Sequence, residues 1–357
     1  MKGYQFEDTQ GTFHLKKAEN ISYLYFPIAG EAGLKSSFTP NLGGDAKIDQ
    51  NTFLLEPVSA ENLVNNRNSR NFWCNVKGIG SWSLTGHSAE ELSKKFTEMQ
   101  DDSEVTAGFM WQKTTRESKK YQLRGEILSF IPVDKNVEIM LVTITNTGRM
   151  AQTVTPTAAI PLYGRSADNI RDHRHVTSLL HRIETTDTGV LVTPTLSFDE
   201  RGHQVNHMTY YCVGWSGNGE KPVDFYPTAE DFVGEGGNFE RPYAIVKNAE
   251  GVKAGTKIEG LEAVGGLHFS EITLEPEEEC SYLIFTGITE DIQEIRNLSK
   301  TYTTREKVLE ELEKTKAYWQ EKVNVAYHTG DSDFNQFMHW VSFQPILRRI
   351  YGCSFLP

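Results

Sequence analysis

Long apolar runs are missing from this chain: a helix that crosses a bilayer needs about twenty consecutive apolar residues, and no stretch here approaches that. The opening segment, MKGYQFEDTQGTFHL, also lacks the apolar centre of a secretory signal, so a cytoplasmic location is expected. Cysteine is scarce. Cys74, Cys212, Cys280 and Cys353 are scattered without a CxxC spacing, which fits reduced structural thiols better than a disulfide framework or a zinc cage. Positive charge is in deficit, with 36 Lys and Arg against 48 Asp and Glu for a net charge of -12. Nucleic-acid binders draw their affinity from cations, so that role is excluded, and any anion site must be local.

Self-contained catalytic signatures are lacking as well. There is no GxSxG elbow, no kinase set and no complete dinucleotide fingerprint. His203 and His207 stand four apart as in a zincin, but Gln204 occupies the position where the glutamate base belongs. GEGGNFERP, Gly234 to Pro242, is rich in glycine yet has no Lys-Ser/Thr pair to reach a phosphate and its Mg²⁺, so it reads as a turn.

What remains is the composition of an ordinary globular protein, 38% hydrophobic and 24% charged over 357 residues, long enough for a large core and with room for two domains. Up to residue 286, short segments rich in Val, Ile, Thr, Tyr and Phe alternate with Gly, Asn and Asp turns: YLYFPIAG, VEIMLVTITNTG, GVLVTPTLSF, HMTYYCVGW and CSYLIFTG. So many strands must stack two sheets to bury their inner faces, which predicts a large antiparallel β sandwich. Within it, Ser88 and Glu91 form a capping box ahead of a short amphipathic helix over Ser88 to Met99.

From residue 287 the pattern turns helical. Thr303 with Glu306 reads as a second capping box, opening a charged helix with Val308, Leu312 and Trp319 along one stripe. A third helix begins near Asp331, with Phe334, Phe337, Met338 and Val341 predicted to be its buried side and Pro345 predicted to kink or reset it. The sequence closes on RRIYGCSFLP, more apolar than the frayed polar terminus usually found, as though it stopped inside a core.

One stretch concentrates hydrogen-bonding groups. RSADNIRDHRHV, Arg165 to Val176, holds three arginines, two histidines, Asp168, Asn169 and Asp172 directly after a strand-like run. His173 and His175, with His181 as a possible third, have a spacing that a metal site can use. The interleaved arginines and the missing Cys or carboxylate ligands make hydrogen-bond donors in a polar loop the better reading, and no metal is expected. Arg165, Arg171 and Arg174 are able to fork onto anions or hydroxyl groups, with Asp168, Asn169 and Asp172 holding the guanidinium planes and His173 and His175 donating as well. The competing reading is a structural clamp in which these arginines and aspartates pair with one another. The six tryptophans in the sequence cannot be sorted into core residues and exposed stacking faces from sequence alone.

PLYGRSADNIRDHRHVTSLLHRIE, then FVGEGGNFERP, then FNQFMHWVSFQPILRRIYGCSFLP together resemble the amino-terminal third of the inverting glycoside phosphorylases of glycoside hydrolase family 94, and within that family are most similar to the 1,2-β-oligoglucan phosphorylases. Asn335, Trp340 and Gln344 match that family's Asn-Trp-Tyr-Gln pattern, with Phe343 where Tyr is usual. The resemblance implies a β-supersandwich over residues 1–286, a helical linker over 287–330, and over 331–357 the first helix of a truncated (α/α)6 barrel. It implies an enzyme that uses inorganic phosphate as co-substrate, needs no cofactor, cleaves β-1,2-gluco-oligosaccharides with inversion to α-glucose 1-phosphate, and dimerises through its sandwich. The Arg/His stretch would then place its arginine forks on sugar hydroxyls or phosphate and face the substrate or the partner subunit. Gln344, Arg348 and Arg349 would approach the sugar or, on the more conservative reading, pack the barrel wall. The general-acid aspartate lies in the barrel of such enzymes, beyond residue 357, so this chain by itself is expected to be inactive, with its last helix short of neighbours and Phe337, Val341 and Leu347 forming an exposed apolar patch. A non-catalytic carbohydrate-binding or dimerisation module is the alternative.

Overall fold

The computed structural model describes residues 4–21, 24–58, 67–171, 174–199 and 202–352. Eleven antiparallel strands form the larger sheet, in the order Tyr4–Phe6, Phe13–Lys16, Asp102–Gly108, Trp111–Ser118, Leu123–Phe130, Val137–Asn146, Glu279–Thr289, Thr209–Ser216, Gly189–Val192, Arg182–Thr185, Lys257–Glu259. A second sheet runs Asp224–Thr228, Ala263–His268, Gln152–Leu162, Asn71–Val76, Gly80–Ser83, with Ile272–Leu274 added against Gln152–Leu162. A four-stranded sheet (Phe26–Ala29, Lys35–Phe38, Ala46–Lys47, Phe53–Leu55) and the hairpin Leu196–Asp199/Gly202–Val205 complete the β structure. The mainly β, sandwich-like class expected from the sequence is the one that forms.

The central strands of the large sheet are apolar on both faces, and the packing shows why. In Val137–Asn146, Met140, Val142 and Ile144 point into the main core, where they meet Phe72, Cys74, Ile160 and Leu267 of the second sheet. Val137, Ile139 and Leu141 point the other way, into a second core closed by Ile295, Leu298, Tyr302, Val308 and Leu312. The helices Ile292–Thr301 and Arg305–Glu321 therefore act as a lid on the outer face, and a sheet buried on both sides reads as a continuous apolar run rather than an alternation. Trp215 ties the lid down, its indole N–H donating to the Tyr302 carbonyl at 3.0 Å. All six tryptophans are buried, so none offers an open face for a sugar to stack on.

Several local expectations are corrected. Ser88 does cap its helix, its Oγ accepting the Glu91 N–H at 3.1 Å, but the Glu91 carboxylate accepts from the Asp101 N–H at 2.7 Å instead of reaching back. That helix is only Ala89–Ser93, and the chain beyond it turns at Phe96 (φ 66°), leaving Leu92, Phe96 and Met99 exposed rather than on a buried stripe. The long helix has Thr304 at its N-cap position, one residue later than expected and without a side-chain capping bond, and Val308, Leu312 and Trp319 are buried as the stripe predicts.

The helix Ser332–Tyr351 starts as expected, Asp331 accepting the Phe334 N–H at 3.0 Å, but it passes through Pro345 unbroken. Pro345 lies on the exposed side, as does Val341, so water can serve the carbonyl that the missing N–H leaves without a partner. Its buried face is Trp340, Phe343 and Leu347, whereas Phe334, Phe337 and Val341 are exposed. Leu347 therefore does not belong to an exposed patch.

Nor does this helix lack neighbours. The Trp340 indole donates to the Gly11 carbonyl at 2.7 Å, the Tyr351 hydroxyl sits 2.8 and 2.7 Å from the Ile28 and Ser36 carbonyls, and Arg349 forks onto Glu31 at 2.9 and 2.6 Å. No helix among the described residues is long and apolar enough to cross a membrane.

Candidate functional site

The strand Gln152–Leu162, central in the second sheet, ends where Gly164 takes a left-handed turn (φ 60°) and Arg165 bridges to Phe53 of the four-stranded sheet. Backbone bonds stitch the exit in place: Tyr163 N–H to Leu54 O at 2.8 Å, Gly164 N–H to Phe53 O at 3.0 Å, and Phe53 N–H to Arg165 O at 3.0 Å. The segment continues as a 3-10 turn, Ala167–Arg171, and a short helix, Arg174–Ser178, with the hairpin Leu196–Asp199/Gly202–Val205 lying against the 3-10 turn.

Arg165 is buried. Its guanidinium lies 5.1 Å from the centre of the Tyr163 ring and pairs with Glu262 at 3.4 Å. Glu262 also faces Arg67 at 3.6 Å, so one carboxylate bridges two guanidinium groups delivered by distant parts of the chain. Such a shared carboxylate fixes the orientation of both arginines more firmly than an exposed pair would. Burial raises the Glu240 carboxyl above the usual carboxylate range, with Arg67 pulling it the other way.

Beneath the segment, His181 is fully buried, with Nδ1 3.2 Å from the Leu261 carbonyl. Burial first, and the nearby Arg165 charge second, hold its pKa at about 3, so the ring is neutral at physiological pH. An open cleft of ≈ 650 Å³ adjoins the cluster, lined by Arg67, Ser178, Glu230, Glu235, Gly260 and Glu262 among others. Guanidinium and carboxylate groups in such a cleft suit the recognition of hydroxyl-rich or charged ligands.

The candidate residues fall into two places. Arg165 and Asn169 are buried in the cluster, with the Ser166 hydroxyl donating to Asn169 Oδ1 at 3.1 Å, and Asp168 is exposed at its rim. Asp172 and His173 lie outside the described residues, as do the side chains of Arg171, Arg174 and His175.

Gln344, Arg348 and Arg349 sit elsewhere, on the last helix. Gln344 lines an apolar groove of ≈ 260 Å³ with Tyr4, Phe6, Phe13, Phe26 and Trp340, Arg348 is exposed, and Arg349 is held by Glu31. Sequence reading missed Glu262, Arg67 and Glu31, the carboxylates and the cation that pair with its arginines or share their partner. Glu262 lies 97 residues from Arg165, and no local pattern announces it. Among the described residues, no group of three or more His, Cys, Asp or Glu side chains is placed to hold a metal ion.

With this geometry in hand, solved structures offer distant likenesses. A bacterial glucoamylase complexed with acarbose is 8% identical with a TM-score of 0.47, covering 96% of this chain and 40% of its own. A family GH92 α-mannosidase from Bacteroides thetaiotaomicron is 11% identical at 0.42, covering 94% and 36%, and a putative aldose 1-epimerase from Escherichia coli K12 is 10% identical at 0.40, covering 74% and 98%. The chain thus spans well under half of the glucoamylase and mannosidase chains, and these likenesses speak to neither substrate nor chemistry. No curated protein matches the chain. The family description "Glycosyl hydrolase 94, supersandwich domain" matches residues 55–305, well over half of the sequence, and the chain belongs to the glycoside hydrolase 94 family through that domain.

Proposed function

We propose that this chain is the amino-terminal part of an inverting glycoside phosphorylase of the 1,2-β-oligoglucan type, cytoplasmic and homodimeric through its sandwich. The supersandwich match over residues 55–305 carries the reading. On this reading residues 1–286 form the supersandwich, 287–330 the helical linker and 331–357 the first helix of an (α/α)6 barrel. Arg165, Asp168, Asn169, Arg171, Asp172, His173, Arg174 and His175 make up the loop that faces substrate or partner subunit, with Gln344, Arg348 and Arg349 on the barrel side. Inorganic phosphate attacks the anomeric carbon of a β-1,2-gluco-oligosaccharide as the glycosidic C–O bond breaks, a carboxylic acid protonates the leaving oxygen of the shortened oligosaccharide, and α-glucose 1-phosphate forms with inversion. One carboxylic acid suffices, because phosphate replaces the water and base of an inverting hydrolase. That acid is supplied from outside residues 1–357.

The pure chain is expected to release no glucose 1-phosphate from β-1,2-gluco-oligosaccharides and phosphate, whereas the full-length protein releases it in a phosphate-dependent way. A positioned general acid contributes about 10²- to 10⁴-fold, and binding alone does not replace it. Turnover by the chain alone would overturn the division of labour proposed here, and a full-length protein that binds these sugars without turning them over would favour a non-catalytic binding or dimerisation module. In the full-length protein, Arg171→Ala and Arg174→Ala are expected to lower phosphorolysis by about 10-fold or more, the worth of a charge-assisted contact, with little change in melting temperature. A matching loss of stability at unchanged kinetics would assign the loop to a structural clamp instead.

A further inference from the structure

The hairpin that joins Asp102–Gly108 to Trp111–Ser118 pairs Gly108 with Trp111, which leaves a two-residue loop, Phe109–Met110. Such loops are normally solvent-exposed and built from Asn-Gly, Asp-Gly or Gly-containing pairs, because their backbone needs positive φ. Here both residues are apolar, both are buried, and Met110 sits at φ 62°, a left-handed conformation that a side chain without a local hydrogen bond adopts only at a cost. Strain of this kind persists where the surroundings over-determine it. Those surroundings are helical. The Phe109 ring stacks on Phe343 at 4.3 Å and meets Trp340 edge-on at 4.7 Å, and Met110 shares a core with Trp319, Val323 and Leu347.

We infer that the Phe109–Met110 turn is a strained apolar lock that holds the helix Ser332–Tyr351 in one fixed seat on the sandwich, so that the left-handed turn and the docked helix depend on each other. The second wall of the seat is matched to it. Gly11 (φ 83°) accepts the Trp340 indole N–H through its carbonyl and donates its own N–H to Gln336 at 2.9 Å, and a Cβ there would lie 3.2 Å from the Trp340 ring nitrogen and 3.4 Å from Phe109. The inference does not require the chain to be part of a phosphorylase: it concerns how the last helix is oriented, whatever follows.

Hydrogen exchange on the full chain tests it through two variants. Phe109→Ala is expected to lower protection of the 332–351 amides by about 100-fold or more, the effect of deleting a buried phenyl ring. The paired change Phe109→Asn with Met110→Gly supplies a relaxed turn, so the hairpin amides over 102–118 should keep their protection while the helix loses its own. Phe109→Ala and Phe343→Ala should also be non-additive, the double variant losing little more than either single one. Unchanged helix protection in the paired variant would overturn the lock, because the Arg349 and Tyr351 contacts would then suffice. Loss of hairpin protection in that variant would overturn it too, since the turn would then serve the folding of the sandwich rather than the seat of the helix.

Discussion

Glu138→Ala is expected to destabilise the protein by about 3–5 kcal/mol, because it leaves the guanidinium of Arg70 buried without its counter-charge. Both side chains are fully buried. Arg70 Nε donates to Glu138 Oε1 and Nη2 to Oε2 at 3.0 Å, while Nη1 donates to the Gly44 carbonyl at 2.9 Å and the Ser36 hydroxyl adds a bond to Glu138 at 2.6 Å. The pair joins three pieces: Glu138 stands on the large sheet, Arg70 leads into the second, and Ser36 and Gly44 belong to the four-stranded region. Gly44 is needed where it stands, since at φ 147° a Cβ would lie 1.9 Å from the Ser37 carbonyl oxygen. Denaturant midpoints for Glu138→Ala, Arg70→Ala and the apolar pair Arg70→Met with Glu138→Leu separate the terms. Each single change should cost several kcal/mol at an unchanged slope, and the apolar pair should recover most of it, because the cost lies in the unpaired charge. A Glu138→Ala protein within about 0.5 kcal/mol of the parent, the range of an ordinary surface substitution, would show that the pair does not join the sheets in the way its geometry implies.

The pair also shows where a sequence is legible and where it is not. A lone Glu between Val137 and Ile139, inside the run VEIMLV, is a local signal: a charge at a core position needs a partner. Its partner is not local, and nothing in NSRNFWC selects Arg70 over its neighbours. Arg165 makes the same point from the other side. Its own segment offers Asp168 and Asp172 as local partners, and the fold adds Glu262 from 97 residues away, which no local pattern announces.

Strands were readable because β-branched and aromatic runs bounded by turns carry their own periodicity. That VEIMLVTITN is apolar throughout was readable too, but which residues face the lid helices emerges only once the sheets stack. The last helix failed for a different reason. Phe334, Phe337 and Val341 form one apolar face and Trp340, Phe343 and Leu347 another, so the sequence holds two candidate stripes and only the contact with Phe109 and Gly11 decides between them.

Acid is expected to destabilise the protein well before its carboxylates titrate, and His181 is the main cause. The folded state holds this imidazole at a pKa of about 3, far below the ordinary value of 6.5, so the unfolded chain takes up a proton that the folded chain refuses. The stability contributed by the neutral ring is therefore fully present above pH 6.5 and is lost as pH falls toward 3, at about 1.4 kcal/mol per pH unit within that window. His87 acts in the same direction: burial first, then Arg116 and Lys95, bring it to about 4, but the ring is only half-buried and water screens part of its effect. Burial raises the Glu91 and Glu240 carboxyls, which works in the opposite sense, with stability gained as pH falls through their range.

Denaturant unfolding at pH 7.5 and at pH 5.0 lies mostly above the carboxylates and isolates the histidines. The parent should lose about 1–2 kcal/mol between the two, the share of the proton-linked slope that falls below pH 6.5. His181→Gln should lower stability at pH 7.5, because the amide fits the site between the Leu261 carbonyl and Gly164 less well, yet its loss on going to pH 5.0 should be clearly smaller than the parent's. A His181→Gln protein that keeps the parent's full pH dependence would mean that His181 is not the group that titrates on unfolding, and that the acid response of the fold arises elsewhere.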